Sequence, residues 1–162
     1  MKKFLFPLLT LFFVSCAETN SNPKYEANLA LAKKWFQTFE TENMEELSKY
    51  FADKLQYQGA FYGQPMMNSK EEVINYMKGW HDAMENIKYT PENFLPGVDN
   101  NTNLPDGSVR TYGTWTGVNT ISGKSFEVKF YHYMNFDDNG LMIEGGDYGD
   151  ATGIMLAVAP DE

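Results

Sequence analysis

FEVKFYHYMNFDDNG, residues 126–140, is the stretch whose reading decides the fold. Its first eleven residues alternate. Phe126, Val128, Phe130, His132, Met134 and Phe136 fall on one side; Glu127, Lys129, Tyr131, Tyr133 and Asn135 fall on the other. Successive side chains of a strand point to opposite faces, so the even set predicts a buried face and the odd set an outer one. Asp137-Asp138-Asn139-Gly140 then reads as a type I turn with Gly140 left-handed, a three-residue hairpin connection with a bulge. A strand over 124–136 therefore returns as a second strand over 141–150.

Working outward, segments 86–98 and 109–119 are also rich in Thr, Tyr, Phe, Trp and Val and predict two more strands. The loop between them, Asp99 to Gly107, begins Asp-x-Asn-x-Asn like a calcium loop. It fails as one, because Leu104 stands where the turn glycine belongs and Arg110 where a bidentate Glu belongs. Before residue 86 the pattern is helical. Leu29, Ala32, Phe36 and Phe39 repeat at 3, 4, 3 and predict a helix over 25–40. Asn43 with Glu46 predicts a capped second helix over 44–52. Lys54 to Gly59 alternates like a first strand, and 59–68 is loop. Ser69-Lys70-Glu71-Glu72 is a capping box ahead of a long helix with Val73, Met77, Trp80 and Met84 on its apolar face and Ile74 and His81 on the flank. Helices first and strands after predict an α+β fold, with the helices on one face of a curved antiparallel sheet.

The N-terminus is read separately. Lys2 and Lys3 precede an apolar run from Phe4 to Val14 and the small residues Ser15, Cys16 and Ala17, the order of a secretory signal. The run falls short of the roughly 20 residues a membrane span needs. Phe13-Val14-Ser15-Cys16 is similar to a bacterial lipobox, with Phe13 in place of the usual Leu. The single cysteine of the chain sits where lipid would attach. Ordinary cleavage after Ala17 is the rival. The expected organisation is a signal peptide over 1–15, a lipidated tether over 16–24, one domain over 25–157 and a tail over 158–162. The expected location is the cell envelope, with the membrane as partner through lipid on Cys16.

Removing residues 1–15 takes away two lysines and no acid, which moves the formal charge from −9 to −11. That balance argues against nucleic acid as a partner, since phosphates need Lys and Arg. Aromatics at 15% argue for a packed core.

Three stretches carry a family likeness. Met44 to Asp53 is similar to a helix-to-strand entry, Ser122-Gly123-Lys124-Ser125-Phe126 to a strand start, and Phe136 to Asp150 to a closing hairpin. In this order and spacing the chain resembles the nuclear transport factor 2-like superfamily, in its SnoaL-like branch, over roughly residues 25–156. The resemblance implies a cone in which a bent sheet wraps helices around an apolar pocket. Isomerases, dehydratases, epoxide hydrolases, polyketide cyclases and plain binding domains share that cone, so fold alone does not give function.

His132 is the one titratable group on the even face of 124–136. A bulge at Gly140 pairs Phe136 with Met142, Met134 with Glu144 and His132 with Gly146, which sets Glu144 diagonally beside His132. A bulge at Gly145-Gly146 flips the strand and turns Asp147 inward instead. The candidate acid/base set is thus His132 with Glu144 first and Asp147 second. A hydrogen-bonded core histidine is the plainer reading and stands beside it. Tyr57, Trp80, Trp115 and Tyr148 are candidate ligand-binding walls. Tyr112 has the opposite parity to Trp115, so only one of the two faces the pocket. No phosphate loop, Ser-His-Asp spacing or Cys/His cluster is present, and neither a cofactor nor a metal is expected. Three functions follow: a lipid-anchored domain binding a small apolar or amphipathic molecule, an acid/base enzyme, or a structural homodimer formed through Tyr131 and Tyr133.

Overall fold

The computed structural model describes residues 22–161. The expected signal segment, Cys16 and all but the last three residues of the tether lie outside the described residues. Among the described residues no helix is long and apolar enough to cross a membrane.

Helix α1 spans Pro23–Glu40 and starts two residues ahead of expectation. Pro23 does not break it but occupies its first turn, where a missing N–H costs nothing. The Asn22 side chain caps the helix by accepting from the Tyr25 amide at 3.0 Å. Trp35, Phe36 and Phe39 on its buried face enter the core. Helix α2 spans only Met44–Ser48, capped by Asn43, and not 44–52 as its spacing predicts. Phe51 is buried, but as the first residue of strand β1, Phe51–Gln58. The Met142 amide donates to the Tyr50 carbonyl at 2.8 Å and draws this segment into the sheet. Burial by a strand and burial by a helix look alike over so short a run.

Helix α3 spans Lys70–Ala83 behind the Ser69 cap, which accepts from the Glu72 amide at 3.2 Å. Four strands follow: β2 Met84–Val98, β3 Pro105–Asn119, β4 Ser125–Phe136 and β5 Met142–Gly149. A last helix, α4 Ala151–Ala157, was not foreseen. It covers seven residues, too short for a periodic signal. The Asp150 side chain caps it on the Gly153 amide at 2.8 Å, and Ile154 is buried.

The sheet order is β1-β5-β4-β3-β2. β2 through β5 are antiparallel neighbours, whereas β1 adds to β5 in parallel, so the sheet is mixed and not wholly antiparallel. Register shifts interrupt the β2–β3 ladder after Glu85, Pro91 and Pro96. Bulges of this kind bend a sheet, and the bend wraps it around α1. Phe36 of α1 stacks on Tyr89 of β2, with ring centroids 4.2 Å apart. Burying each such side chain stabilises the fold by about 1.5–3 kcal/mol. The parity expected for β4 holds: Phe130 is buried and Lys129 exposed.

Candidate functional site

The site is built on two paired strands. Asp137-Asp138-Asn139-Gly140 makes the β4–β5 turn, with Gly140 at φ +78° and the Asp137 amide bonded to the Leu141 carbonyl at 2.9 Å. Phe136 pairs with Met142 as expected, but Asn135 pairs with Glu144, which leaves Ile143 as an extra residue. That bulge shifts everything beyond it by one place. Met134 lies opposite Gly145, and His132 opposite Asp147.

Glu144 is therefore not beside His132. It lies on the outer face and accepts from Asn135 Nδ2 at 2.7 Å. Asp147 turns inward, although the parity flip comes from Ile143 and not from the two glycines. Those glycines make room for rings. A Cβ on Gly145 would meet the Tyr57 ring at 3.0 Å, and one on Gly146 would meet the Tyr133 ring at 2.6 Å. Tyr57 thus lies flat against β5 with its hydroxyl at Asp147.

Asp147 Oδ1 receives two hydrogen bonds, from the Tyr57 hydroxyl at 2.7 Å and from His132 Nδ1 at 2.6 Å. Asp147 Oδ2 has only a long contact, 3.5 Å, from the Tyr76 hydroxyl. Trp115 Nε1 donates to His132 Nε2 at 2.8 Å. An indole nitrogen can only donate, so Nε2 must accept and the ring hydrogen must sit on Nδ1. The tautomer of His132 is fixed from both sides, by the indole donor at Nε2 and the carboxylate acceptor at Nδ1, and both imidazole nitrogens are occupied within the protein. Phe36, Tyr89, Trp115 and Phe130 pack around the ring, with centroids 5.2 to 5.8 Å away. His132 consequently holds the carboxylate in place, and Asp147 is the group with capacity to spare.

Burial, followed by the nearby Asp147 charge, pushes the Tyr57 and Tyr76 phenols well above their ordinary range. Both stay protonated as donors toward the carboxylate.

The cavity in front of Asp147 is small, with about 50 Å³ of internal space. Trp35 and Phe39 come from α1, Tyr76, Met77 and Trp80 from α3, Trp115 from β3, Phe126 and Phe130 from β4, and Ile154 from α4. Tyr57, Trp80 and Trp115 thus lie on the wall where the sequence predicts them. Tyr148 does not: it is 63% exposed on the outer face, beside Tyr131 and Tyr133. Tyr112 also faces outward. Tyr76 and Trp35 are wall residues that sequence reading missed. Tyr76 stands one turn before Trp80, and that spacing was a usable signal. Trp35 Nε1 is buried with no hydrogen-bond partner among the described residues. The His81 ring lies tilted against Phe39, centroids 4.3 Å apart, and burial lowers its pKa. Among the described residues no group of three or more His, Cys, Asp or Glu side chains is placed to hold a metal.

No family model and no curated protein matches the chain by sequence. Solved structures do match its shape. A protein assigned as a SnoaL-like polyketide cyclase, from a Jannaschia species, superposes with a TM-score of 0.73 at 16% identity, covering 88% of this chain and 99% of that one. A nuclear transport factor 2-like protein of unknown function from Burkholderia pseudomallei gives 0.67 at 15% identity, covering 82% and 98%. A protein assigned as an isomerase, from Bacillus subtilis, gives 0.64 at 15% identity, covering 85% and 95%. At these identities the likeness is one of fold: the chain has the cone of the nuclear transport factor 2-like superfamily.

Proposed function

We propose that this domain binds a small, mostly apolar molecule in the aromatic cavity, with Asp147 as its polar anchor. The observation that carries the reading is a cavity of aromatic and aliphatic walls converging on one carboxylate. Such a site is the usual form of a small-molecule pocket, apolar with a few placed polar groups. The assignments of the neighbours as a cyclase and an isomerase support a ligand of that size.

The three tryptophans of the chain, Trp35, Trp80 and Trp115, all line the cavity, so intrinsic fluorescence reports on it directly. Neutral probes such as 1-naphthol and cyclohexanone should give a saturable change in emission. Ile154→Phe, which narrows the space, should weaken it. If no probe changes the emission, or the change is the same in Ile154→Phe, the pocket reading is wrong.

A second reading has its own observation. The strong bonds to Asp147 both fall on Oδ1, which leaves Oδ2 with only a long contact from the Tyr76 phenol. A carboxylate so held can take a proton from a bound carbon acid and return it. Proton exchange at the α-carbon of a bound ketone, followed by NMR in deuterium oxide, should then stop in Asp147→Asn.

Export and lipid anchoring are proposed on the signal pattern and the lone Cys16. Stable anchoring needs more than one acyl chain. Cys16→Ser should release the protein into the soluble fraction. A wild-type protein that is already soluble and begins at Glu18 would show the rival cleavage instead.

A further inference from the structure

We infer that the cavity selects a small alkylammonium cation, seated with its nitrogen against Asp147 Oδ2; this rests on the pocket reading above. The first argument is charge. Among the described residues Asp147 is the sole carboxylate lining the cavity, and no Lys or Arg lines it. His132 is the one basic side chain there. Its Nδ1 hydrogen is committed to Asp147, and its Nε2 lone pair is committed to Trp115. It therefore contributes a neutral hydrogen bond and no cation. Arg110 lies on the opposite face of the sheet, bonded to Asn135. The carboxylate is 8% exposed, and the protein meets it with phenol and imidazole donors alone. A buried charge without an opposite charge is costly, and a ligand that supplies the opposite charge offsets that cost.

The second argument is the wall. Trp35, Phe39, Tyr76, Trp80 and Trp115 surround the space in front of the carboxylate. Aromatic rings attract cations through their quadrupole, Trp most of all. An anion would meet both the ring electrons and the Asp147 charge, so fatty acids and phosphates are the wrong class. A neutral ligand would fill the space and leave the charge unmatched. A methylated ammonium group satisfies both features at once: its methyl groups pack on rings, and its charge faces Oδ2. Tyr57 and His132 both bond Oδ1, which leaves Oδ2 with only the long Tyr76 contact and room for a further donor.

The test compares two probes of one shape that differ in charge: choline and its neutral isostere 3,3-dimethylbutan-1-ol. Each is titrated into the full chain and followed by tryptophan emission. Choline should bind at least about tenfold more tightly than the alcohol, and the ratio should fall toward one in Asp147→Asn. The wild-type comparison needs no variant, so it stands even where that substitution impairs folding. Equal or tighter binding of the alcohol overturns the cation preference and leaves the pocket reading intact. A ratio that persists in Asp147→Asn places the cation elsewhere and also overturns it. Binding of neither probe overturns the cation proposal, while the pocket reading falls only with its own neutral panel.

Discussion

Trp115 Nε1 donates to His132 Nε2 across 2.8 Å, and this contact determines what the histidine can do. With Nε2 accepting, the ring hydrogen belongs to Nδ1 and points at Asp147. The imidazole thus links an indole to a carboxylate and presents no free nitrogen to the cavity.

Replacing Trp115 with Phe should free Nε2 while Asp147 still holds the Nδ1 hydrogen. In the wild type, ¹⁵N spectra should show His132 Nε2 as an acceptor without hydrogen and Nδ1 as protonated. Trp115→Phe should keep Nδ1 protonated, shift the Nε2 resonance as its hydrogen bond is lost, and lower stability by roughly 1–3 kcal/mol, the cost of leaving a buried polar atom unpaired. An Nε2 shift unchanged in the variant would show that the indole does not bond that nitrogen.

The two acids proposed from sequence should separate cleanly. Glu144 bonds only Asn135, on the outer face, and shares no partner with Asp147. Glu144→Gln should leave probe binding within about twofold, since sites without shared partners act independently. Asp147→Asn leaves the Tyr57 hydroxyl and His132 Nδ1 aimed at an uncharged amide. It should change probe binding and lower the denaturation midpoint. Equal effects of the two substitutions would contradict the register at Ile143.

Gly146 should resist substitution where Gly79 does not. A Cβ at Gly146 would lie 2.9 Å from the Gln58 carbonyl oxygen, which is strand backbone and cannot give way. Gly146→Ala should cost about 1–3 kcal/mol by overpacking and loosen the β1–β5 pairing that carries Tyr57. Gly79 is exposed within α3, with open space around its Cβ position. Gly79→Ala should stabilise by up to about 1 kcal/mol through helix propensity. Urea denaturation of both variants checks the pair.

Alkaline titration tests the buried phenols. Burial holds the Tyr57 and Tyr76 hydroxyls well above the ordinary value of 10.0, and burial pushes Tyr89 up to about 12. The unfolded chain ionises these groups first, so above pH 10 it binds fewer protons than the folded chain. Their contribution to stability is complete below pH 10 and is lost as pH rises through the folded values. The thermal midpoint should fall above pH 10, and phenolate absorbance should rise in two stages, with the buried Tyr57, Tyr76 and Tyr89 in the second. A single stage near 10 would show that Tyr57 and Tyr76 are not enclosed.

Much of this architecture is written locally. Asn43 and Ser69 announce their helices because a side-chain oxygen three residues ahead of an orphan amide is a short-range contact. Gly140 announces the turn because a left-handed residue there favours glycine. The alternation of 126–136 states which face of β4 is buried, and with it that His132 points inward. Pro23 shows the limit of such signals. The same residue breaks a helix in its interior and opens one at its first turn, and its neighbours decide which.

The rest depends on pairing between segments far apart in the chain. One extra residue at Ile143 exchanges Glu144 for Asp147 at the site, because a strand has a period of two and a slip of one reverses every face beyond it. Nothing in residues 141–150 alone places that bulge. It is placed by what the facing strands accept: Tyr57 over Gly145, Tyr133 over Gly146, and Asp147 opposite His132. The parallel addition of β1 to β5 brings Tyr57 to Asp147 across 90 positions of sequence. The Nε2 of His132 finds its donor on an indole 17 positions away. By itself the sequence determined most of the elements, the caps of α2 and α3, the turn and the inward face of one strand, all interactions within a few residues. Only the tertiary structure decided which acid meets the histidine and which oxygen of that acid is left with a long contact alone, because register and hydrogen-bond direction belong to pairs of strands and not to either strand alone.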